Sequence, residues 1–400
     1  NKALITLIIP LFFESLLGVL VNMVDSMMVS SVGEAAISAV SLVGNISGVM
    51  LNLFAALAAG GAILGVTASC LVSSVYLFGC FRKVYPHLDQ TTDKPRSFGD
   101  TARGLMIIAI PITLGSAGLQ FLTMLETKIY MGRLLAFYTQ SAADTMRGIY
   151  GMTQTIFNMP CAFITPITIS IIPAITAQLT TGDRAAAKAT EESAARITGL
   201  ISMPCAFGLA LLSEPVTALL GGYTGDNLAL ATKLMAILGA SIAFNAVVLV
   251  TTAIMQAHGH VNRPVINMLI GGVLKLAAVY ILTGNKAVGI VGTPIGTLLC
   301  YVSIAALNIF SIRKLVENPP ALVKNLLRPF LAALVMGIFV LAAFAGLKYV
   351  GITSRLILCG APIAVGVVAY VLAAVKIKVI TRSDCLLLPK GEKIAKLLRL

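Results

Sequence analysis

Eleven apolar stretches of spanning length occupy most of this 400-residue chain. About 20 consecutive apolar residues match the hydrocarbon thickness of a bilayer. Inside lipid only α-helices and closed barrels satisfy their own backbone hydrogen bonds. The runs are continuous rather than alternating, which rules against a barrel. The sequence therefore predicts an all-α, polytopic helical membrane protein with about 11 transmembrane helices.

Composition agrees. The chain is 58% hydrophobic and 11% charged, against about 25% charged in a soluble domain. The net charge of +13 reads as basic loops that fix topology, not as a nucleic-acid surface, because no aromatic residues interleave the basic ones. None of the seven cysteines forms a C-x-x-C pair, so neither a disulfide frame nor a zinc site is expected. His258 and His260 read as part of a solvated turn. No hydrolase, zinc-protease or phosphate-loop signature occurs, so no enzyme activity, metal or cofactor is expected. No cleavable signal-peptide pattern is present, and the first span is expected to serve as its own insertion signal.

The predicted spans are 4–29, 37–59, 61–81, 105–128, 148–179, 196–221, 229–257, 265–283, 287–311, 329–350 and 352–375. The connections 82–104, 180–196, 258–264 and 312–328, with the tail 376–400, carry 20 of the 29 Lys and Arg. The positive-inside rule puts them in the cytoplasm, where the end of the tail reads as a surface helix. From residue 82 onward the parity is clean. Before it, three spans leave the basic 82–104 connection on the wrong side, and the break lies at Gly60-Gly61. Either the segment bends and re-enters, or Asn1 is extracellular, or residues are missing near that point, and the last reading is favoured.

A shift of 101 residues lays Ile9-Pro10 on Ile110-Pro111, Ser15 on Ser116, Met23 on Met124 and Asp25 on Glu126. The repeat implies two related bundles, a plan on which transporters bind substrate between repeats.

Ionisable groups inside spans are costly and normally face a cavity or a partner. Glu14, Asp25, Glu126, Lys128, Glu214 and Lys275 are the candidates. Asp25 and Glu126 are carboxylates suited to coupling a cation, Na+ or H+. Lys275, near mid-span, lines a substrate cavity or pairs with one of them. Lys128, Arg133 and Arg147 can form a cationic rim for an anionic headgroup, or a solvated loop. Asn158 opens a run holding Pro160, Pro166 and Pro173, a helix whose prolines predict bends.

Residues from about 61 to 382 resemble the stage V sporulation protein B and polysaccharide biosynthesis branch, which is lipid II flippase-like, of the multidrug/oligosaccharidyl-lipid/polysaccharide exporter superfamily. The resemblance is carried by Ala109-Ile-Pro-Ile-Thr-Leu-Gly-Ser116, Phe157-Asn-Met-Pro160, Ile172-Pro-Ala-Ile175, Gly182-Asp183, Met203-Pro-Cys-Ala-Phe-Gly208 and Ser213-Glu-Pro215. It continues through Met255-Gln256, Gly259, Arg263-Pro264, Asn267, Gly271 and Lys275. Residues 1–60 resemble the multidrug and toxin extrusion branch through Glu14–Asp25 and Val32-Gly-Glu-Ala-Ala36. In that branch the aspartate matching Asp25 is implicated in cation coupling.

The resemblance implies a two-lobe bundle with a truncated first lobe. Its parts are a lobe over 1–81, a cytoplasmic linker 82–104, a six-helix lobe 105–311, two extra helices within 329–375 and a basic cytoplasmic tail 376–400. It implies a multi-pass protein of the bacterial cell membrane that flips a lipid-linked oligosaccharide or polysaccharide precursor of the cell wall or of sporulation by alternating access. Substrate contacts would fall to Lys275, Lys128, Arg133, Arg147 and Asn158. The alternatives are a Na+- or H+-coupled efflux antiporter for amphiphilic small molecules, with Asp25 and Glu126 coupling, and a fused or truncated remnant that transports nothing.

Overall fold

A computed structural model describes residues 122–352, 354–377 and Val379. Asp25, Glu14, the first lobe, the 82–104 linker and nearly all of the tail lie outside the described residues. We number the described helices in chain order: α1 (122–134, its described part), α2 (Gln140–Thr180), α3 (Arg184–Leu211), α4 (Ser213–Leu220), α5 (Gly225–Ala257), α6 (Asn262–Thr283), α7 (Gly292–Leu315), α8 (Leu322–Tyr349) and α9 (Arg355–Lys376). A single 3-10 turn, Gly289–Val291, precedes α7. Among the described residues six segments are long and apolar enough to cross a bilayer, and no strand occurs. The protein is an all-α, multi-pass membrane protein.

The helices outrun the predicted spans because amphipathic ends continue past the hydrocarbon. The connection expected over 180–195 shrinks to three residues: Asp183 caps α3, its carboxylate accepting from Ala186 N–H at 2.9 Å, while Gly182 makes the turn at φ 77°. The span expected over 196–221 is broken at Leu212, between α3 and α4. Pro215 explains the break, since it has no N–H and its ring crowds the carbonyl of Leu211.

The fold is organised around α5, whose buried residues reach from Ala231 to Ala257. Helices α2, α3, α4 and α7 pack on it. The crossing of α3 and α5 is close because Gly239 has no side chain: a Cβ there would lie 2.6 Å from the backbone nitrogen of Ala210. Helices α6 and α7 run antiparallel. Asn267 meets Asn308, Gly271 meets Ile304 and Lys275 meets Gly296.

Helices α8 and α9 are docked on α3 and α4 at both membrane faces. Arg196 donates to Asn325 at 3.3 Å at one end. At the other, Lys348 pairs with Glu214 at 2.8 Å and Arg355 donates to Ala218 O at 3.1 Å. Between them Pro204 has no N–H for the carbonyl of Leu200 one turn back. The Tyr370 hydroxyl of α9 donates to that carbonyl at 2.9 Å instead. A freed backbone acceptor inside a membrane must find such a donor, so a proline on α3 is answered by a tyrosine on α9.

Candidate functional site

Two features of α1 and α2 set this face apart: a buried charge pair behind it and a polar stripe on its surface. On α1 the positions 126, 130 and 134 fall one turn apart and are all buried. Glu126 is 2% exposed. Its Oε2 lies 2.7 Å from the Lys275 ammonium of α6, and the Tyr150 hydroxyl of α2 donates to its Oε1 at 3.5 Å. Tyr150 lies beside Thr293 and Thr297 of α7. Three helices, α1, α2 and α6, therefore meet on one carboxylate, with α7 beside Tyr150. A lone charge here would be prohibitive, and the pair with its hydroxyl neighbours makes burial tolerable. Lys275 is thus held by Glu126, and its charge is neutralised.

The surface stripe runs along α2. Arg147, Gly151 and Asn158 are exposed, Thr155 is half-buried, and their spacing of four, four and three residues puts them on one face. Asn158 lies three turns, about 16 Å, along the helix from Arg147. On α1, Thr123 and Lys128 are exposed as well. Arg147 reaches the Tyr130 side chain of α1, so the two helices present one polar surface. Arg133 stands apart: its guanidinium lies 4.5 Å over the Tyr280 ring of α6 and packs against Gly284, a cation–π arrangement. The rim expected from Lys128, Arg133 and Arg147 is therefore split.

Glu214 sits in the first turn of α4 with Lys348, each about half exposed, at a membrane surface and not within a span. Helix α2 is continuous from Gln140 to Thr180 through its prolines. Among the described residues no group of three or more His, Cys, Asp or Glu comes together as a metal site.

Three polar arrangements were not anticipated from the sequence. Tyr150 reads as one more apolar residue of its run. Asn308 accepts from Asn267 at 2.8 Å and donates to Thr251 at 3.0 Å, which ties α5, α6 and α7 together within the membrane. His258 lies in the turn read from the sequence but is half-buried there, and its Nε2 lies 2.6 Å from Oε1 of Glu191, a residue 1% exposed.

The family model for the lipid II flippase MurJ matches residues 2–360, a range that takes in residues 1–60 with the rest. An uncharacterized membrane protein, YabM, of Bacillus subtilis (strain 168) is 20% identical over 357 residues, covering 88% of this chain and 65% of that protein. Stage V sporulation protein B of the same organism is 23% identical over 265 residues, 64% of this chain and 49% of its own length. The chain thus spans between half and two thirds of these curated relatives. A solved lipid II flippase MurJ in an inward closed conformation aligns with a TM-score of 0.48 at 16% identity, over 66% of this chain and 54% of that one.

Proposed function

The chain belongs to the lipid II flippase MurJ family, and from that premise we propose that it moves a lipid-linked saccharide precursor across the bacterial membrane. The observation that carries the reading is the polar stripe Arg147, Gly151, Thr155 and Asn158 on the surface of α2. Polar side chains at membrane depth are unfavourable against lipid tails and belong on a hydrated path. A lipid-linked saccharide needs such a path for its sugar while its tail stays in lipid. Arg147 at one end of the stripe suits bidentate contact with a pyrophosphate, and Lys128 on the neighbouring helix adds charge. Asn158 and Thr155 offer donors and acceptors suited to hydroxyls.

In this reading Lys275 and Glu126 act together. Lys275 is a positioning residue, holding Glu126 and with it the α1–α6 contact behind the stripe, and the substrate's charge falls to Arg147 and Lys128. The six-helix lobe 105–311 is the part that would rock.

The test is reconstitution into vesicles with a fluorescently labelled polyprenyl-pyrophosphate saccharide, scoring the fraction that becomes accessible to a quencher. Wild type should transfer the lipid, and Arg147→Leu and Asn158→Leu should slow transfer while leaving folding intact. No transfer by wild type would favour the remnant reading. Unchanged transfer in both variants would remove the stripe from the mechanism.

A further inference from the structure

The basic end of the helices, at the turns after α2, α5 and α7, holds a cluster that the flipping site does not use. Along α3, Arg184, Lys188, Glu192 and Arg196 recur every four residues and face the segment after α7. Arg184 pairs with Glu317, and Lys188 donates to Asn318 at 2.8 Å. Glu192 accepts from Ala321 N–H at 3.0 Å, and Arg196 donates to Asn325. This polar zipper engages the side-chain ends of that stripe.

Glu191 points to a different partner. It is 1% exposed, one carboxylate oxygen lies 2.6 Å from His258 Nε2, and the other has no hydrogen-bond partner. His258 is the C-cap of α5, where a cation is favoured by the helix dipole. The turn continues through Gly259 at φ 79° into α6. Thr176 of α2 donates to Ala257 O at 3.4 Å beside it. Glu191 and His258 line a cavity of about 280 Å³ with Ala187, Arg184, Lys188, Glu317 and Asn318.

We propose that Glu191 and His258 form a proton-operated latch that fastens the α5–α6 turn to α3. The bound species is a single proton shared by carboxylate and imidazole. With the imidazolium present the buried carboxylate has its counter-charge, and the turn is held. When the imidazole is neutral it offers Glu191 at most an uncharged N–H donor in place of the imidazolium. The turn is then held less tightly and opens more readily to water.

The hydrogen bonds of the surrounding cations are directed away from Glu191. Arg184 and Lys188 on α3 are engaged with Glu317 and Asn318 on the segment after α7, and α2 contributes only Leu179 to the cavity. His260 and Arg263 belong to the turn itself and its first helical residues. Raising the pH across the imidazole range, about 5 to 8, therefore loosens this end, and lowering it fastens it. The inference does not depend on the substrate or on flipping.

The test uses the full chain in lipid nanodiscs with its native cysteines replaced. Ala187, 2% exposed and lining the cavity, is changed to Cys and labelled with a water-soluble maleimide. Its rate is divided by that of Cys at the exposed position 185, which cancels the intrinsic pH dependence of thiol reactivity. The ratio should rise several-fold between about pH 5 and about pH 8. In His258→Lys, a permanent cation, it should stay low at both. In His258→Gln, which has no charge to lose, it should be the same at both. A flat ratio in the parent chain, or a pH-dependent rise that persists in either variant, would overturn the proposal.

Discussion

The exposed faces of α2 and α9 are both long and both helical, yet their chemistry is opposite. Between its charged ends, Arg355 and Lys376, the exposed large residues of α9 are Leu356, Ile357, Ile363, Val365, Val367, Val368, Val371 and Leu372. On α2 they include Arg147 and Asn158. Helices α6 and α8 follow α9, with Ile266, Leu269 and Val273 on one and Ile338, Phe339 and Leu341 on the other. Hydropathy alone scores α6, α8 and α9 as spans, and the sequence of α2 reads as one too. Which residues remain at the surface once the core is packed separates a face suited to lipid from one suited to water, and that separation locates the proposed path.

The largest expected effect lies in the pair that braces the polar face. Lys275→Ala strands Glu126 at 2% exposure, and breaking a buried pair typically costs about 3–5 kcal/mol. Thermal unfolding in detergent should show that loss. The double variant Glu126→Gln, Lys275→Met should recover most of it, because no buried charge is left alone. A double variant as unstable as the single would mean that the pair is not what holds α1 to α6.

Next is the direct contrast between the faces. Val371→Arg on α9 should cost about 2.5–3.5 kcal/mol in a membrane-insertion assay, whereas Thr155→Arg on the α2 stripe should cost clearly less if that face is the proposed hydrated path. Equal costs would erase the distinction. A smaller effect is expected at Tyr370→Phe, which leaves the Leu200 carbonyl unanswered and should cost about 1–3 kcal/mol in unfolding. The least is expected of Lys348→Met: its pair with Glu214 is about half exposed on both sides, and such pairs contribute about 0–1 kcal/mol.

Much of this was legible in the residues. The spans are legible because lipid demands uninterrupted apolar length. Glu126 and Lys275 stood out because charge inside such a run needs a reason, and each proves to be the other's partner. Helix ends were not legible: α2 and α3 begin at Gln140 and Arg184, in polar stretches where hydropathy falls although helical hydrogen bonding continues. For the same reason Glu191 was read as part of a connection, 67 residues from the histidine it meets. The stripe on α2 required the packing, since spacing alone does not say which face of a helix the core covers. Tyr370 required it too: a proline visibly frees a carbonyl, but the donor that answers it comes from another helix.

The central claim is that the α2 stripe faces water and the α9 face does not. Single cysteines at Asn158 and at Val371, in a chain otherwise free of cysteine and embedded in vesicles, test it directly with a membrane-impermeant, water-soluble maleimide applied from either side. The account predicts that Asn158→Cys is labelled from at least one side and that Val371→Cys is labelled from neither. Protection of both, or labelling of both at the same rate, would contradict it.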